Sequence, residues 1–184
     1  PTYQSISGAG YPGLSALDIM GNAIPYIPGE EDKMIVECEK ILELGADIYP
    51  HCVRIPVPFG HLETVWLSFH RPVGTGEIRE AWESFRPAAG HLPSIPERPV
   101  VYSDAPDFPQ PRASFWGNPA GMQTFVGQLR EVNSKIGFSL LSNNLVKGAA
   151  GGSISNAELF YRRYLKNGTG QALEKSLPGN RGNR

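Results

Sequence analysis

Between Pro87 and Pro111 the chain places seven prolines in 25 residues. Proline has no backbone N–H to give to a helix or a sheet ladder, so this stretch holds no regular element except a short strand at Val100–Tyr102. The folded core must therefore be assembled from the segments on either side. Thr2–Ile6 is β-prone and enters a turn-rich loop at Gly8–Gly13, and Leu14–Met20 can make a short helix. Glu30–Leu44 reads as the clearest helix: Pro28-Gly29 precedes it, acids crowd its first turn, and Gly45 stands where a stop belongs. Its apolar stripe is Met34, Ile35, Cys38, Ile41 and Leu42. Strands follow at Cys52–Val57 and Glu63–Phe69, then an amphipathic helix at Glu77–Phe85 with Ile78, Ala81, Trp82 and Phe85 on one side. Beyond the prolines, Met122–Leu129 and Ile136–Leu141 read as strands, and Gly148–Gly152 leads into a last helix over Ser155–Leu165. The pattern is α+β with a mixed, largely antiparallel sheet.

The chain has 184 residues, so one domain is expected over 1–166, followed by a polar, glycine-rich tail over 167–184 that should be flexible. A hydrophobic share of 40% excludes disorder throughout. A net charge of −1 with no basic stripe argues against nucleic acid as a main partner. No apolar run reaches the ~18–20 residues of a membrane-spanning helix, and the N-terminus lacks a signal-peptide pattern. With only Cys38 and Cys52, a disulfide framework is not expected, and the cytoplasm is the expected compartment.

Gly8-Ala9-Gly10-Tyr11-Pro12-Gly13 spells G-x-G-x-x-G, the dinucleotide fingerprint. That fingerprint needs a long helix after it and then a second strand ending in an acid. Two prolines occupy the stretch where that strand belongs, and Glu30 and Glu31 open a helix, so the motif is read as a tight loop. Glu30, Lys33 and Glu37 lie within about 60° of each other on a helix, on the shoulder of the stripe. They fit either an exposed ion pair or a polar cleft edge. Arg54 stands on the opposite strand face from Val53 and Ile55, where it can point to solvent or grip a carboxylate bidentately. His61, just after Gly60, is either structural or an acid/base near neutral pH. His51 and Cys52 are adjacent on a strand and so cannot easily converge, and no metal-ligand spacing is present.

Several motifs in order carry more than any one of them. Thr2-Tyr3-Gln4, Ser7-Gly8-Ala9-Gly10-Tyr11-Pro12-Gly13, Glu30-Glu31-Asp32-Lys33, Cys52-Val53-Arg54-Ile55-Pro56-Val57 with Gly60-His61, and Asn143-Asn144 with Lys147-Gly148-Ala149-Ala150-Gly151-Gly152 resemble aspartate-semialdehyde dehydrogenase. The likeness is to its archaeal and fungal branch and runs from residue 1 to about 165. It implies the catalytic and dimerisation domain of that family, similar to the C-terminal domain of glyceraldehyde-3-phosphate dehydrogenase. Helices would cover one sheet face and the other would make the dimer. It also implies NADP as cofactor and reduction of aspartyl phosphate to aspartate semialdehyde and phosphate through a cysteine thioester. By the same resemblance His61 is the acid/base, Arg54 holds the α-carboxylate, Glu30 faces the amino group, Lys33 binds phosphate and Gln4 orients the substrate. Ser7, Gly8 and Asn144 would touch the nicotinamide half of NADP, and no metal is implied. A homodimer or homotetramer is expected.

The departures from the family pattern also carry expectations. The family's nucleophile lies in a Ser-Asn-Cys type motif ahead of the Tyr-Gln segment, and neither Cys38 nor Cys52 fits it. The NADP-binding N-terminal domain is therefore expected to be absent and this segment alone inactive. Asn143 stands where the branch usually has histidine, and Leu145 where it often has threonine. The last helix, with Ala157, Leu159 and Phe160, would expose apolar surface here. Two other readings stay open. One is a malonyl-CoA-type reductase on the same scaffold, against which Glu30 weighs. The other is a non-enzymatic dimerisation or regulatory module, against which Gln4, Glu30, Lys33, Arg54 and His61 weigh together.

Overall fold

In a computed structural model of the chain, which describes residues 1–43 and 45–166, six strands form one mixed sheet. They are β1 (Thr2–Gln4), β2 (Cys52–Arg54), β3 (His61–Leu67), β4 (Val100–Tyr102), β5 (Thr124–Val132) and β6 (Lys135–Ser142), in the order β2-β1-β3-β6-β5-β4. The four central strands are antiparallel, and β2 and β4 join the two edges in parallel. The short strand expected between prolines is therefore β4, an edge strand, where the missing N–H groups cost least. The expected tail, 167–184, lies outside the described residues. Among the described residues no helix is long and apolar enough to cross a membrane.

Register assigns the faces. Cys52, Phe138 and Tyr102 share one face, because Cys52 pairs Thr2, Thr2 pairs Glu63, Glu63 pairs Leu140, and Leu140 pairs Val126 opposite Tyr102. The helix α2 (Glu30–Leu42) rests on this face where Cys52 Sγ meets Met34 Sδ at 3.6 Å. The helix α3 (Thr75–Ser84) rests on it through Trp82, whose ring meets Phe138 edge-on at 5.0 Å and Tyr102 at 5.8 Å. On the opposite face Phe125 and Leu141 join Ala113 in the buried core, with Leu62, Val101 and Phe108 packed against them. The proline-rich segment thus supplies part of the core cover in place of a helix: Pro96, Pro99 and Pro109 are buried, and Phe108 packs edge-on to Phe125. Gln128, at φ 56° in the bulge of β5, latches this cover with Nε2 at 2.8–3.3 Å from the carbonyls of Ala105, Pro106 and Phe108.

Three expectations need correction. The stripe of α2 is not core: Met34 and Cys38 are half-buried, while Ile35, Ile41 and Leu42 are exposed, Ile41 by 74%. α2 lies over the edge strand β2, so little sheet extends beneath its outer turns. β2 stops at Arg54, two residues before Pro56, and not at Val57. The last helix does not begin at Ser155, because Gly148–Gly152 is already helical. A π-helical turn over Val146–Ala150 runs into α4 (Gly151–Phe160) and on through Tyr161–Leu165. Asn143 starts this run early, its Oδ1 accepting from the N–H groups of Leu145 at 3.0 Å and Val146 at 2.8 Å. The last helix does expose apolar side chains, among them Ile154, Phe160 and Leu165.

Candidate functional site

Strand direction brings four segments to one end of the sheet. β1 and β2, parallel, finish there with Gln4 and Arg54; β3, antiparallel to β1, starts there with His61; β6, antiparallel to β3, ends there with Ser142, two residues before Asn144. Gln4, Arg54 and His61 also project from the helix-bearing face, since Gln4 pairs Arg54 and His61 is two residues from Glu63. The residues singled out from the sequence therefore converge, although they are spread over 140 positions.

Arg54 is the floor of the site. It is 4% exposed, and its backbone exchanges hydrogen bonds with Ile24 at 2.9 and 2.8 Å, which closes the outer edge of β2. Its Nη1 donates to Ser5 O at 2.7 Å and its Nη2 to Gly8 O at 3.4 Å. Nε is buried with no partner, the one such side-chain atom among the described residues. A buried N–H of a cation left unpaired is costly, so Arg54 holds a donor ready for an acceptor. Burial lowers its pKa, an effect that Glu30 and then Cys52 offset.

The rim follows from α2. Glu31 accepts the backbone N–H of Cys52 at 2.9 Å, which pins the first turn of α2 to β2. Glu30, one residue earlier, sits near enough for its charge to act on both Arg54 and His61. Lys33 Nζ lies 3.6 Å from Glu30 Oε2, with the lysine more exposed than the carboxylate. Glu30 thus interacts with a buried cation, Arg54, and with an exposed one, Lys33. Gln4 is 6% exposed and donates from Nε2 to Thr2 Oγ1 at 3.3 Å.

The opening lies at Gly8. A Cβ at this position would stand 2.6 Å from Arg54 Nη1 and 3.0–3.1 Å from Cε1 and Nε2 of His61, so only a glycine lets the loop lie this close. The G-x-G-x-x-G motif is thereby explained without a phosphate loop. Ile6–Gly8 forms a single 3₁₀ turn, and the next helix, α1 (Ala16–Ile19), is one turn long and followed by α2 before any strand. Asn144 holds this loop to β3, its Oδ1 within 3.3 Å of Ser5 Oγ and Ser7 Oγ and 3.2 Å of Gly60 N.

His61 is half-buried, with its pKa lowered to about 4, chiefly by burial and next by the Arg54 charge; a backbone contact from Gly60 and the Glu30 charge offset part of this. The ring is therefore neutral at neutral pH. Between about 4 and 6.5 the unfolded chain binds the proton that the folded chain refuses, so stability is lost as pH falls through that window. Urea midpoints taken at about pH 7 and about pH 4.5 are expected to drop further for the parent than for His61→Gln. Equal drops would mean that the folded ring titrates like a solvated one.

Cys52 is fully buried against Met34, Cys38 is half-buried on α2, and among the described residues neither thiol hydrogen-bonds to His61. Three roles were not assigned from the sequence: the contacts of Ser5, the bond of Glu31 to Cys52, and the capping by Asn143, which had been marked only as a departure from histidine. Ser5 and Glu31 act through backbone and side-chain bonds that leave no pattern in the sequence. Asn143, ahead of a helical run, carries the usual capping signal.

The model of the dimerisation domain of semialdehyde dehydrogenases matches residues 1–147. The chain belongs to that family. An aspartate-semialdehyde dehydrogenase of Archaeoglobus fulgidus is 43% identical, the match covering 88% of this chain and 49% of that protein. One from Trichophyton rubrum is 42% identical over 85% of this chain and 48% of its own length. A malonyl-CoA reductase (NADP) of Metallosphaera sedula is 37% identical over 88% of this chain and 50% of its own. Among solved structures, aspartate semialdehyde dehydrogenase with NADP from Candida albicans superposes with a TM-score of 0.74 at 32% identity, covering 86% of this chain and 48% of that one. The enzyme II of Vibrio cholerae, in its complex with ASA, gives 0.71 at 27% identity, covering 89% and 54%. The chain thus spans about half the length of the relatives it matches. The sheet and its helices are those of the semialdehyde dehydrogenase C-terminal domain, as the motif order implied.

Proposed function

We propose that this chain is the substrate-binding and dimerisation half of an NADP-dependent aspartate-semialdehyde dehydrogenase. The observation that carries the reading is the charge pattern of the site: Arg54 and a neutral His61 against Gly8, with Glu30 acting on both and pairing with Lys33. A substrate with a carboxylate, an ammonium and a phosphate or free phosphate partner matches these one for one. Arg54 holds the α-carboxylate, with its unpaired Nε added to the guanidinium fork. Glu30 takes the ammonium, Lys33 the phosphate, and Gln4, beside Arg54, orients the chain between them. His61 holds or moves the proton at the reacting carbon's oxygen.

Ser7, Gly8 and Asn144 form the wall that NADP would meet, with Gly8 exposed at its edge. When bound in its reduced form, NADPH, the cofactor would supply the hydride. With Cys52 buried against Met34, turnover requires a thiol from outside the described residues, so this segment by itself is expected to bind substrate without turning it over. The match to a malonyl-CoA reductase gives the second reading weight, and Glu30 separates the two because a malonyl group has no ammonium.

Calorimetric titration of the chain with aspartate semialdehyde and with malonate semialdehyde tests the reading. Glu30→Gln is expected to weaken the first by about tenfold or more and to leave the second unchanged or tighter, as expected for loss of one charge-assisted contact. Saturable binding of malonate semialdehyde alone would favour the reductase, and no saturable binding of either would sink the proposal.

A further inference from the structure

Which ring nitrogen of a neutral histidine holds the proton decides whether it meets a reacting atom as donor or acceptor. In His61 the inward nitrogen is Nδ1: the backbone N–H of Ser5 points to it at 3.3 Å and Ser5 Oγ lies 3.2 Å away. A backbone N–H can only donate, so Nδ1 accepts and the proton sits on Nε2. Nε2 lies on the side of the ring toward the exposed Gly8, 3.1 Å from where a Cβ there would stand.

The hydroxyl of Ser5 is oriented in turn. Gly60 N–H donates to one end of the Asn144 carboxamide at 3.2 Å, which identifies that end as the oxygen. Nδ2 then donates to Ser7 Oγ at 3.0 Å, Ser7 Oγ lies 2.9 Å from Ser5 Oγ, and Ser5 Oγ lies 3.2 Å from Nδ1. The competing links, from either hydroxyl back to Asn144 Oδ1, are both 3.3 Å. The shorter links run one way, from the amide nitrogen of Asn144 to the acceptor nitrogen of His61. Of the other influences on the ring, the charges of Arg54 and Glu30 have opposite sign and Gly60 makes a backbone contact, while both Ser5 contacts at Nδ1 favour the Nε2–H tautomer.

We propose that Asn144 is a positioning residue for His61, acting through Ser7 and Ser5 to hold the imidazole as its Nε2–H tautomer, so that His61 meets the substrate as a neutral hydrogen-bond donor. This deepens the reading of His61 as the acid/base of the site. A neutral imidazole that donates from Nε2 stabilises negative charge growing on a carbonyl oxygen. To act as a base at Nε2 the ring must first carry its proton at Nδ1, which sets two donors, Nδ1–H and Ser5 N–H, against each other.

Long-range nitrogen–proton NMR on this chain at neutral pH reads the tautomer directly, with His61 assigned by the signals lost in His61→Gln. The expected result is a protonated Nε2 and an unprotonated Nδ1. In Asn144→Asp the carboxylate still accepts Gly60 N–H but cannot donate to Ser7. The hydroxyls turn toward it, Ser5 Oγ becomes an acceptor, and the Nδ1–H share rises about tenfold. Ser7→Ala interrupts the chain without adding charge and is expected to move the ratio the same way by less. A parent protonated at Nδ1, or a ratio unmoved in both variants, would overturn the proposal. If the ratios respond as expected but aspartate semialdehyde leaves the His61 signals untouched, the positioning stands and the functional reading falls.

Discussion

Gly8→Ala is expected to weaken binding of aspartate semialdehyde by about a hundredfold, the scale at which an ångström of misplacement is felt in a preorganised site. The new Cβ would stand 2.6 Å from Arg54 Nη1 and 3.0 Å from His61 Cε1, well inside contact distance. The guanidinium can yield only by giving up its bond to Ser5 O or Gly8 O, and the ring only by leaving the Ser5 N–H. Both functional side chains therefore move together, which no single substitution at either would achieve. Because Gly8 is exposed and lies in a loop, the cost to folding should be small, about 1–2 kcal/mol for one disrupted hydrogen bond to a charged group. Calorimetry on the variant, paired with a thermal melt, separates the two effects. Affinity within about threefold of the parent would mean that the loop relaxes freely, and the close approach of Gly8 would then carry no function.

Gly60→Ala is expected to destabilise the fold by two routes at once. Its φ is +88°, where an L-residue is strained by about 1–2 kcal/mol. Its Cβ would also meet the buried Ser114 at 2.6 Å and Leu141 at 3.3 Å, and overpacking of that kind costs about 1–3 kcal/mol. Together these come to about 2–5 kcal/mol, or a fall of about 5–20 °C in Tm for a domain of this size. Gly10→Ala is the control. Its φ is +72° with nothing within 4 Å of the added atom, so only the strain applies. Equal losses for the two variants would show that Ser114 moves aside at no cost. Since Gly60 N–H is a ligand of Asn144 Oδ1, the Gly60 variant should also loosen His61.

Much of the fold was legible because its causes are local. The prolines confined β4 to three residues at an edge, the acids after Gly29 started α2 at Glu30, and the apolar runs of β3, β5 and β6 lay within two or three residues of their expected bounds. The end of β2 at Arg54 has a local cause in Pro56, but the other two failures come from what lies far away in the chain. The stripe of α2 has the right period for burial, but period says nothing about how much sheet lies underneath. The early start of the last helix depends on Asn143, whose Oδ1 caps it while its Nδ2 donates to Ser114 O at 3.2 Å, 29 positions away.

The candidate site divides the same way. Residue types and their order, Gln4, Glu30 with Lys33, Arg54, His61 and Asn144, were determined by the sequence, because a side chain's charge, fork geometry and titration range belong to it wherever it stands. What those groups do to each other was decided only by tertiary structure. Strand direction put the ends of β1, β2 and β6 beside the start of β3, and from that came the buried unpaired Nε of Arg54 and the depressed pKa of His61. The chain of hydroxyls from Asn144 to Nδ1 joins residues 5, 7, 61 and 144, whose meeting depends on burial and on distances that no local pattern encodes.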